Sequence, residues 1–300
     1  MKPESAVLAL SGGGARGVAH LGAIEVLLES GFRVERLVGV SIGSLVAAMY
    51  AFEPDIDRVR ERALEFILSE KFQQGCQRHL SGTRPSNGDE NVRQTLSVYG
   101  RVAGYVRANR LFHRLVTRPS LLPRLILDDV IAHMVPDADI ADAAVPLSIV
   151  AVDLRSGRRV ELERGPVREA VRASKSLPGI FPAVEWDDML LADIGMFDSL
   201  PTVVARSYTD GCVIGIDVGA VSRPWSQGNT ALAALMRMDE IGEAMLRTHS
   251  RNAADLIITP AVAHVDRFDF SAPLKLIEAG RIAARETLSR TDLFEMPAVS

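Results

Sequence analysis

Two short apolar runs near the start of the chain each lead into a turn that contains glycine and then into a segment with helical spacing. Residues 6–10 (AVLAL) precede SGGGARG and the helical pattern of 18–30, and residues 36–40 (RLVGV) precede a second helical segment over 41–51. Short continuous apolar runs are typical of buried parallel strands, which are covered by helices. Two such strand-turn-helix units in succession predict an α/β protein with a mainly parallel central sheet.

Strand-like and helical patterns return in the second half of the chain. Apolar runs bounded by turn residues predict strands at 145–154, 158–165, 188–193, 211–219 and 254–261, and helical spacing covers 230–253 and 273–288. The interval 71–127 is less regular and contains a turn-rich stretch at 81–91. Because the chain has no internal repeat and no linker-like tract, we predict one domain over 1–300 with a variable, lid-like insertion at about 70–128.

The composition is that of an ordinary globular protein and argues against several functions. The 300 residues are 47% hydrophobic and carry a net charge of -4, whereas a general nucleic-acid binder needs a cationic excess for phosphate contacts. The two cysteines, Cys76 and Cys212, form no cluster with histidine, so we predict neither a metal site nor a disulfide framework. The longest apolar tract, residues 37–52, is shorter than the roughly 20 residues of a membrane-spanning helix. Since the chain also starts without a signal-peptide pattern, we expect a cytoplasmic protein.

The first glycine-rich turn fits two different chemistries. Residues 12–17 have the G-x-G-x-x-G spacing of a dinucleotide-binding loop, which requires an acidic residue at the end of the second strand, about 20 residues further on. That strand instead runs into Ser41, in a G-x-S-x-G pattern completed by Gly39 and Gly43. A serine between glycines on a strand-to-helix turn is typical of a nucleophile elbow, in which the hydroxyl is exposed and the glycines make room for neighbouring backbone.

A serine nucleophile needs hydrogen-bond donors for the negative oxygen that develops on its substrate. A glycine-rich turn at the start of a helix supplies several backbone N–H groups together with the positive end of the helix dipole. Under this interpretation the first turn is an oxyanion hole and comprises Gly12, Gly13, Gly14, Arg16 and Gly17. Gly13 and Gly14 offer N–H donors, and Arg16 adds positive charge nearby.

Together these motifs resemble the patatin-like phospholipase family, which has a G-G-G-x-R/K-G turn after its first strand and a G-x-S-x-G elbow further on. The segments ASKSLPGIFPAV (173–184) and DRFDF (266–270) extend the resemblance over most of the chain outside about 70–128. The resemblance implies a three-layer α/β/α fold and a serine hydrolase acting on lipid or other acyl esters. It also implies a Ser-Asp dyad of Ser41 and Asp193, which uses no metal and no cofactor.

The sequence departs from the family pattern directly after the expected base. The family has glycine after the catalytic aspartate, whereas this chain has Ile194 followed by Gly195. If the turn required a positive φ at residue 194, a β-branched side chain there would be strained by about 1 to 3 kcal/mol. The departure leaves a second interpretation open, in which a weakly active or inactive patatin-like scaffold serves as a regulatory or lipid-binding module.

Histidine is the usual proton acceptor for a nucleophilic serine. The chain has six histidines, none at an obvious sheet-end position downstream of the elbow: His20, His79, His113, His133, His249 and His264. For His20, within the first helix, a packing or capping role is favoured. An acyltransferase on a related fold is disfavoured, because that chemistry typically calls for a histidine beside the nucleophile and a distal histidine base.

Residues 93–124 are rich in arginine and contain no acidic residue. The arginines are interleaved with tyrosine, leucine and phenylalanine, which indicates a basic, amphipathic segment. Such a segment suits peripheral contact with an anionic membrane surface. It equally suits a solvated helix face whose arginines pair with acids elsewhere, so both interpretations stay open.

Overall fold

The computed structural model describes residues 5–74, 120, 122–219 and 231–290, which form an eight-stranded sheet covered by helices. The strands are β1 Ser5–Leu10, β2 Arg33–Val40, β3 Leu147–Asp153, β4 Arg158–Leu162, β5 Val184–Trp186, β6 Met189–Ala192, β7 Cys212–Ile216 and β8 Leu256–Ile258. The helices are α1 Ala19–Glu29, α2 Ile42–Phe52, α3 Ile56–Leu68, α4 Leu125–Met134, α5 Val167–Lys175, α6 Thr202–Arg206, α7 Ala231–Arg251 and α8 Pro273–Ser289. A short 3-10 helix, Gly14–Val18, leads directly into α1.

The strand order is β5-β6-β3-β2-β1-β7-β8, with β4 paired to β3 outside this path. Five strands, β3, β2, β1, β7 and β8, run parallel to one another. At the β3 side of the sheet, β4 and β6 pair antiparallel with β3, and β5 pairs antiparallel with β6. This confirms the prediction of a mainly parallel α/β sheet. In the register of the sheet Leu10 pairs with Gly39 of β2 and with Ile216 of β7, so the turns after β1 and β2 leave the sheet at the same edge.

Alternate residues of β1 enter two separate hydrophobic cores. Leu8 and Leu10 belong to the larger core, with apolar residues of α1, α2, α3 and α8, whereas Val7 and Ala9 belong to a smaller core with Val204 and Ala205 of α6. Side chains of a strand alternate between the two faces of its sheet. Helices therefore cover both faces, which confirms the three-layer α/β/α arrangement.

Local signals determine where the helices begin and end. Gly31 follows α1 with φ 82, and its N–H bonds to Leu28 at 2.9 Å, in the left-handed conformation that commonly terminates helices. Asp55 is the N-cap of α3, because its carboxylate accepts from the N–H groups of Asp57 and Arg58. The buried residues of α3, Val59, Ala63, Phe66 and Ile67, have the spacing of one helical face.

Several sequence predictions differ from the observed elements. The predicted strand 188–193 ends at Ala192, so Asp193 lies just beyond β6. The helices α3 to α6 and the strand β5 have no counterpart among the predictions. Most of the predicted insertion at about 70–128 lies outside the described residues, as do the arginines of 93–124 except Arg124, which pairs with Asp128 at 3.1 Å. The single-domain prediction and the membrane-contact prediction stay predictions.

None of the helices that the structure describes is both long enough and apolar enough to cross a bilayer.

Helices α1 and α8 approach each other through glycine. A Cβ on Gly280 would lie 2.0 Å from the carbonyl oxygen of Ala19, and a Cβ on Gly22 would lie 2.0 Å from that of Ile277. Both distances are far below any real Cβ contact, so the backbones of the two helices could not pack this closely with alanine at either position.

We expect Gly280→Ala to lower the free energy of unfolding by about 1 to 3 kcal/mol, because the added methyl group forces the two helix backbones apart. Gly242 is the matched control: it is also a helix-interior glycine, but a Cβ there would meet nothing within 4 Å. Gly242→Ala should therefore raise stability by about 0.5 to 1 kcal/mol, the ordinary gain in helix propensity. Urea denaturation measures both changes, and equal effects of the two substitutions would contradict the packing argument.

Candidate active site

Ser41 lies between β2 and α2 in a conformation that serine rarely adopts. Its φ is 54 and its ψ is -120, and among the described residues Asp187 is the only other non-glycine residue with a positive φ. Such backbone costs on the order of 1 to 3 kcal/mol and persists only where the surroundings hold it. Here the N–H of Ser41 donates to Oγ of Ser174 at 2.9 Å, and Oγ of Ser44 donates to the carbonyl of Ser41 at 2.6 Å. These two bonds hold the turn at the N–H and at the carbonyl of Ser41, whose side chain is half-buried.

The glycines on either side of Ser41 allow three backbone segments to meet. A Cβ on Gly43 would lie 2.2 Å from the carbonyl oxygen of Leu10, and a Cβ on Gly39 would lie 2.6 Å from the carbonyl oxygen of Gly43. The start of α2 therefore packs directly against the end of β1. This close approach is the one for which a nucleophile elbow requires glycine.

The glycine-rich turn after β1 lies against the elbow. A Cβ on Gly12 would be 3.4 Å from Cβ of Ser41, and a Cβ on Gly17 would be 2.4 Å from Cγ2 of Ile42. Gly14 has a φ of 62, and a Cβ there would be 2.2 Å from the carbonyl oxygen of Arg267. The two motifs that the sequence places about 25 residues apart are thus neighbours in the fold.

The backbone donors of this turn differ in what they bind. The N–H of Gly12 donates to the carbonyl of Ser199 at 2.8 Å, and the N–H of Ala15 donates to that of Arg267 at 2.8 Å. Within the part of the chain that the structure describes, the N–H groups of Gly13 and Gly14 have no acceptor. Of the five residues predicted for the oxyanion hole, these two retain backbone donors for a ligand.

Arg16 is buried and supports the turn. Its Nε donates to the carbonyl of Gly13 at 3.0 Å. Because a trans peptide directs its C=O and N–H to opposite sides, this bond fixes the direction of the Gly14 N–H. Burial, and then the positive charges of Arg267 and Arg247, lower the pKa of Arg16 to about 10, so the guanidinium stays charged at neutral pH. The positive charge of Arg16 lies near the turn, and its bond to the carbonyl of Gly13 also orients the peptide between Gly13 and Gly14.

Asp193 follows β6 and is only 4% exposed. Its N–H donates to the carbonyl of Ser176 at 3.0 Å, and its Oδ1 accepts from the N–H of Gly195 at 2.7 Å. The side chain of Ser41 is near enough to act on this carboxylate and to lower its pKa. Burial raises the pKa of Asp193 above its ordinary value, against the opposing effects of Ser41, the Gly195 N–H, and the positive charges of Lys175 and Arg267.

The turn after Asp193 is free of the strain considered for Ile194. Ile194 has no positive φ, and its side chain is 5% exposed in the smaller hydrophobic core. The isoleucine is thus an anchor for the segment that carries Asp193. The next acid, Asp198, lies in a different environment, because it pairs with Arg159 at 3.0 Å.

None of the histidines among the described residues serves as a partner of Ser41. His20 is fully buried, and its Nε2 bonds to the carbonyl of Ser11 at 2.9 Å, just before the glycine-rich turn. His133, His249 and His264 are exposed, and His79 and His113 lie outside the described residues. The described residues also contain no group of three or more histidine, cysteine, aspartate or glutamate side chains arranged to hold a metal ion.

Comparisons with known proteins identify the family of this chain. A family model described as patatin-like phospholipase matches residues 8–206. An uncharacterized NTE family protein of Mycobacterium tuberculosis is 29% identical over 310 residues, covering 94% of this chain and 46% of the relative. Patatin-like phospholipase domain-containing protein 6 of Mus musculus is 31% identical over 215 residues, covering 71% of this chain and 13% of that protein. The chain spans less than half the length of these curated relatives.

A solved structure, VipD from Legionella pneumophila, covers 96% of this chain and 67% of its own, with 14% identity and a TM-score of 0.47.

The fold and the site define an α/β protein with a serine elbow and a glycine-rich turn at one edge of a parallel sheet. The family model covers more than half of the chain and includes both motifs and Asp193. The chain belongs to the patatin-like phospholipase family. The dinucleotide interpretation of the glycine spacing is thereby set aside.

The burial of His20 predicts that stability falls under mildly acidic conditions. Burial lowers the pKa of His20 to about 4, from 6.5 in an unfolded chain. Between these values the unfolded chain binds a proton that the folded protein does not, so the free energy of unfolding rises with pH and decreases as the pH falls from 6.5 towards 4. The resulting change in the free energy of unfolding is about 3 kcal/mol.

His20→Gln should remove this dependence while retaining an amide donor for Ser11. We therefore expect the stability difference between the unmodified protein and the variant to shrink as the pH is lowered from 7 to 4, measured by urea denaturation at each pH. A constant difference over this range would show that His20 is not the titrating group.

Proposed function

We propose that this chain is a serine acyl hydrolase that cleaves carboxylic esters of lipids, with Ser41 as nucleophile and Asp193 as general base. The observation that carries the proposal is the pairing of a strained, half-buried serine at a helix start with a buried carboxylate next to it. Membership of the patatin-like phospholipase family supports the lipid ester as the class of substrate.

In the acylation step, Oγ of Ser41 attacks the carbonyl carbon of the ester, and Asp193 accepts the hydroxyl proton. A carboxylate has capacity for several hydrogen bonds, so the bond from Gly195 to Oδ1 leaves room for that proton. The burial that raises the pKa of Asp193 makes it a stronger base than an exposed aspartate. Collapse of the tetrahedral intermediate breaks the ester C–O bond, and the leaving alkoxide takes the proton from Asp193.

The negative oxygen of the tetrahedral intermediate would be stabilised by the glycine-rich turn. The N–H groups of Gly13 and Gly14 are the donors proposed for it, and Arg16 holds the peptide between these two residues in place. The start of α2 adds the positive end of a helix dipole at Ser41. Loss of one such donor commonly costs about 3 kcal/mol of transition-state stabilisation.

Deacylation repeats the same chemistry with water. Asp193 removes a proton from a water molecule that attacks the acyl carbon, and the released oxygen of Ser41 takes that proton back. The products are a free carboxylic acid and the regenerated serine. No step needs a metal ion or a cofactor.

The second candidate is a patatin-like scaffold that lacks useful catalysis and binds lipid or regulates a partner. The observation that would have favoured it is strain at Ile194 that displaces Asp193. Ile194 instead has ordinary backbone and a buried side chain, while Asp193 interacts with Ser41. The geometry therefore favours the enzyme, and labelling of the serine separates the two candidates.

Fluorophosphonate labelling with peptide mapping tests the nucleophile without knowledge of the natural substrate. We expect labelling at Ser41 and loss of both labelling and hydrolysis of p-nitrophenyl butyrate in Ser41→Ala. Asp193→Asn should reduce hydrolysis about 10²- to 10⁴-fold, the usual contribution of a general base. The double variant should hydrolyse the ester no more slowly than the less active of the two single variants, because the two residues act as one unit.

The matched controls are Ser289→Ala and Asp187→Asn, which change the same residue types at exposed positions. Asparagine tolerates the positive φ of residue 187. Both controls should keep full activity. The dyad would be overturned if the label maps to another serine or if Asp193→Asn keeps full activity. An unmodified protein that reacts with neither the fluorophosphonate nor p-nitrophenyl butyrate would favour the scaffold.

The raised pKa of Asp193 also predicts a gain in stability when its charge is removed. A carboxyl group whose pKa is higher in the folded than in the unfolded state destabilises the fold as the pH rises through the folded value. Asp193→Asn keeps the acceptor for Gly195 and has no charge, so it should melt at a higher temperature than the unmodified protein at pH 7. The two melting temperatures should converge as the pH is lowered, which differential scanning calorimetry can follow. A lower melting temperature for the variant at pH 7 would contradict the argument.

A further inference from the structure

The end of α5 contacts both members of the proposed dyad. Oγ of Ser174 accepts the N–H of Ser41 at 2.9 Å, and the carbonyl of Ser176 accepts the N–H of Asp193 at 3.0 Å. Lys175 lies between these two residues and is the last residue of α5. Its side chain is partly buried, and its two chain neighbours are the residues that bond to Ser41 and to Asp193.

A buried base needs positive charge nearby to remain ionised. Asp193 is 4% exposed and accepts from the N–H of Gly195 at 2.7 Å. The charged groups that act on it are Lys175, from α5, and Arg267, from the segment before α8. Burial alone favours the protonated acid, which could not accept the proton of Ser41.

The two cations differ in how strongly they can act. Arg267 is exposed, so solvent screens its charge, whereas Lys175 is partly buried and its field is screened less. Burial lowers the pKa of Lys175 to about 8, against the attraction of Asp193, so its ammonium is still largely charged at neutral pH. Asp193 is the acid that acts on this lysine among the described residues.

Lys175 acts on Asp193 without a contact ion pair, since none forms between its ammonium and a carboxylate of the described residues. A direct ion pair would occupy the carboxylate oxygens and reduce their affinity for the serine proton. A cation at a greater distance favours ionisation and leaves the oxygens available. This arrangement suits a base that must be charged before the reaction and must accept a proton during it.

We propose that Lys175 is a positioning residue for the reaction, whose ammonium keeps Asp193 in the carboxylate form beside Ser41 at neutral pH. The inference rests on the proposed function, because it assigns Lys175 a role through the base. It extends that function by naming a residue outside the dyad and the oxyanion turn that controls the pH range of activity.

The pH dependence of kcat/KM for p-nitrophenyl butyrate tests the proposal. In Lys175→Met the acidic limb should move to higher pH by about one unit, because one cation no longer favours ionisation of Asp193. At pH values below the midpoint, kcat/KM of the variant should be about tenfold lower than that of the unmodified protein. Well above the midpoint, the two values should differ little. Lys175→Arg, which keeps the charge, should retain the midpoint of the unmodified protein.

The matched control is Lys275→Met, which removes the same charge from an exposed position on α8 and should leave the profile unchanged. An acidic limb that stays in place in Lys175→Met would overturn the proposal. So would a uniform loss of activity at every pH, since that is the result expected of a purely structural residue.

A second measurement does not depend on turnover. The carboxyl ¹³C resonance of Asp193 can be assigned by comparison with Asp193→Asn. It can then be titrated in Ser41→Ala, once with Lys175 unchanged and once with Lys175→Gln added. The midpoint should be higher without the lysine, and equal midpoints would overturn the inference. If the unmodified protein resists fluorophosphonate but this shift occurs, the proposed function fails while the electrostatic role of Lys175 stands.

Discussion

The site depends on the direct packing of the turn after β1 against the turn after β2. Gly17 faces Ile42, and Gly43 faces the carbonyl of Leu10, at separations that leave no room for a side chain. Neighbouring parallel strands deliver their carboxyl ends to the same edge of the sheet, which brings the two turns together. The glycines then let the backbones touch. The glycine-rich turn and the Ser41 turn lie side by side because of this contact.

A third segment completes the arrangement from the opposite side. The end of α5 holds Ser41 through Ser174 and holds Asp193 through Ser176, although these residues are distant from each other in the chain. Ser174 in turn donates to the carbonyl of Val150 in β3 at 2.7 Å, which connects the helix end to the sheet. The strained backbone of Ser41 is thus stabilised by bonds anchored in the core, as an outlier of this kind requires.

The sequence predicts those parts of the protein that local patterns encode. The spacing of the glycines around Ser41 and the apolar runs before both turns predict the elbow and the parallel sheet, whereas only the family resemblance indicates Asp193. The amphipathic spacing of α3 is a local pattern of the same kind, with Val59, Ala63 and Phe66 on its buried face. The bond from Gly12 to Ser199 and the contacts of α5 follow from packing between distant segments, which no local pattern encodes. The strain considered for Ile194 depended on a φ value that the sequence cannot specify.

The bond between Gly12 and Ser199 has a mechanical consequence. Residue 199 belongs to the same short segment as Asp193, and its side chain also donates to Glu243 of α7. The segment that carries Asp193 is therefore bonded both to the glycine-rich turn and to the long helix α7. A displacement of this segment would act on Asp193 and on the bond that holds the glycine-rich turn at the same time. Through Ser199, α7 is thus connected to both parts of the proposed site, although its own residues lie far along the chain from either.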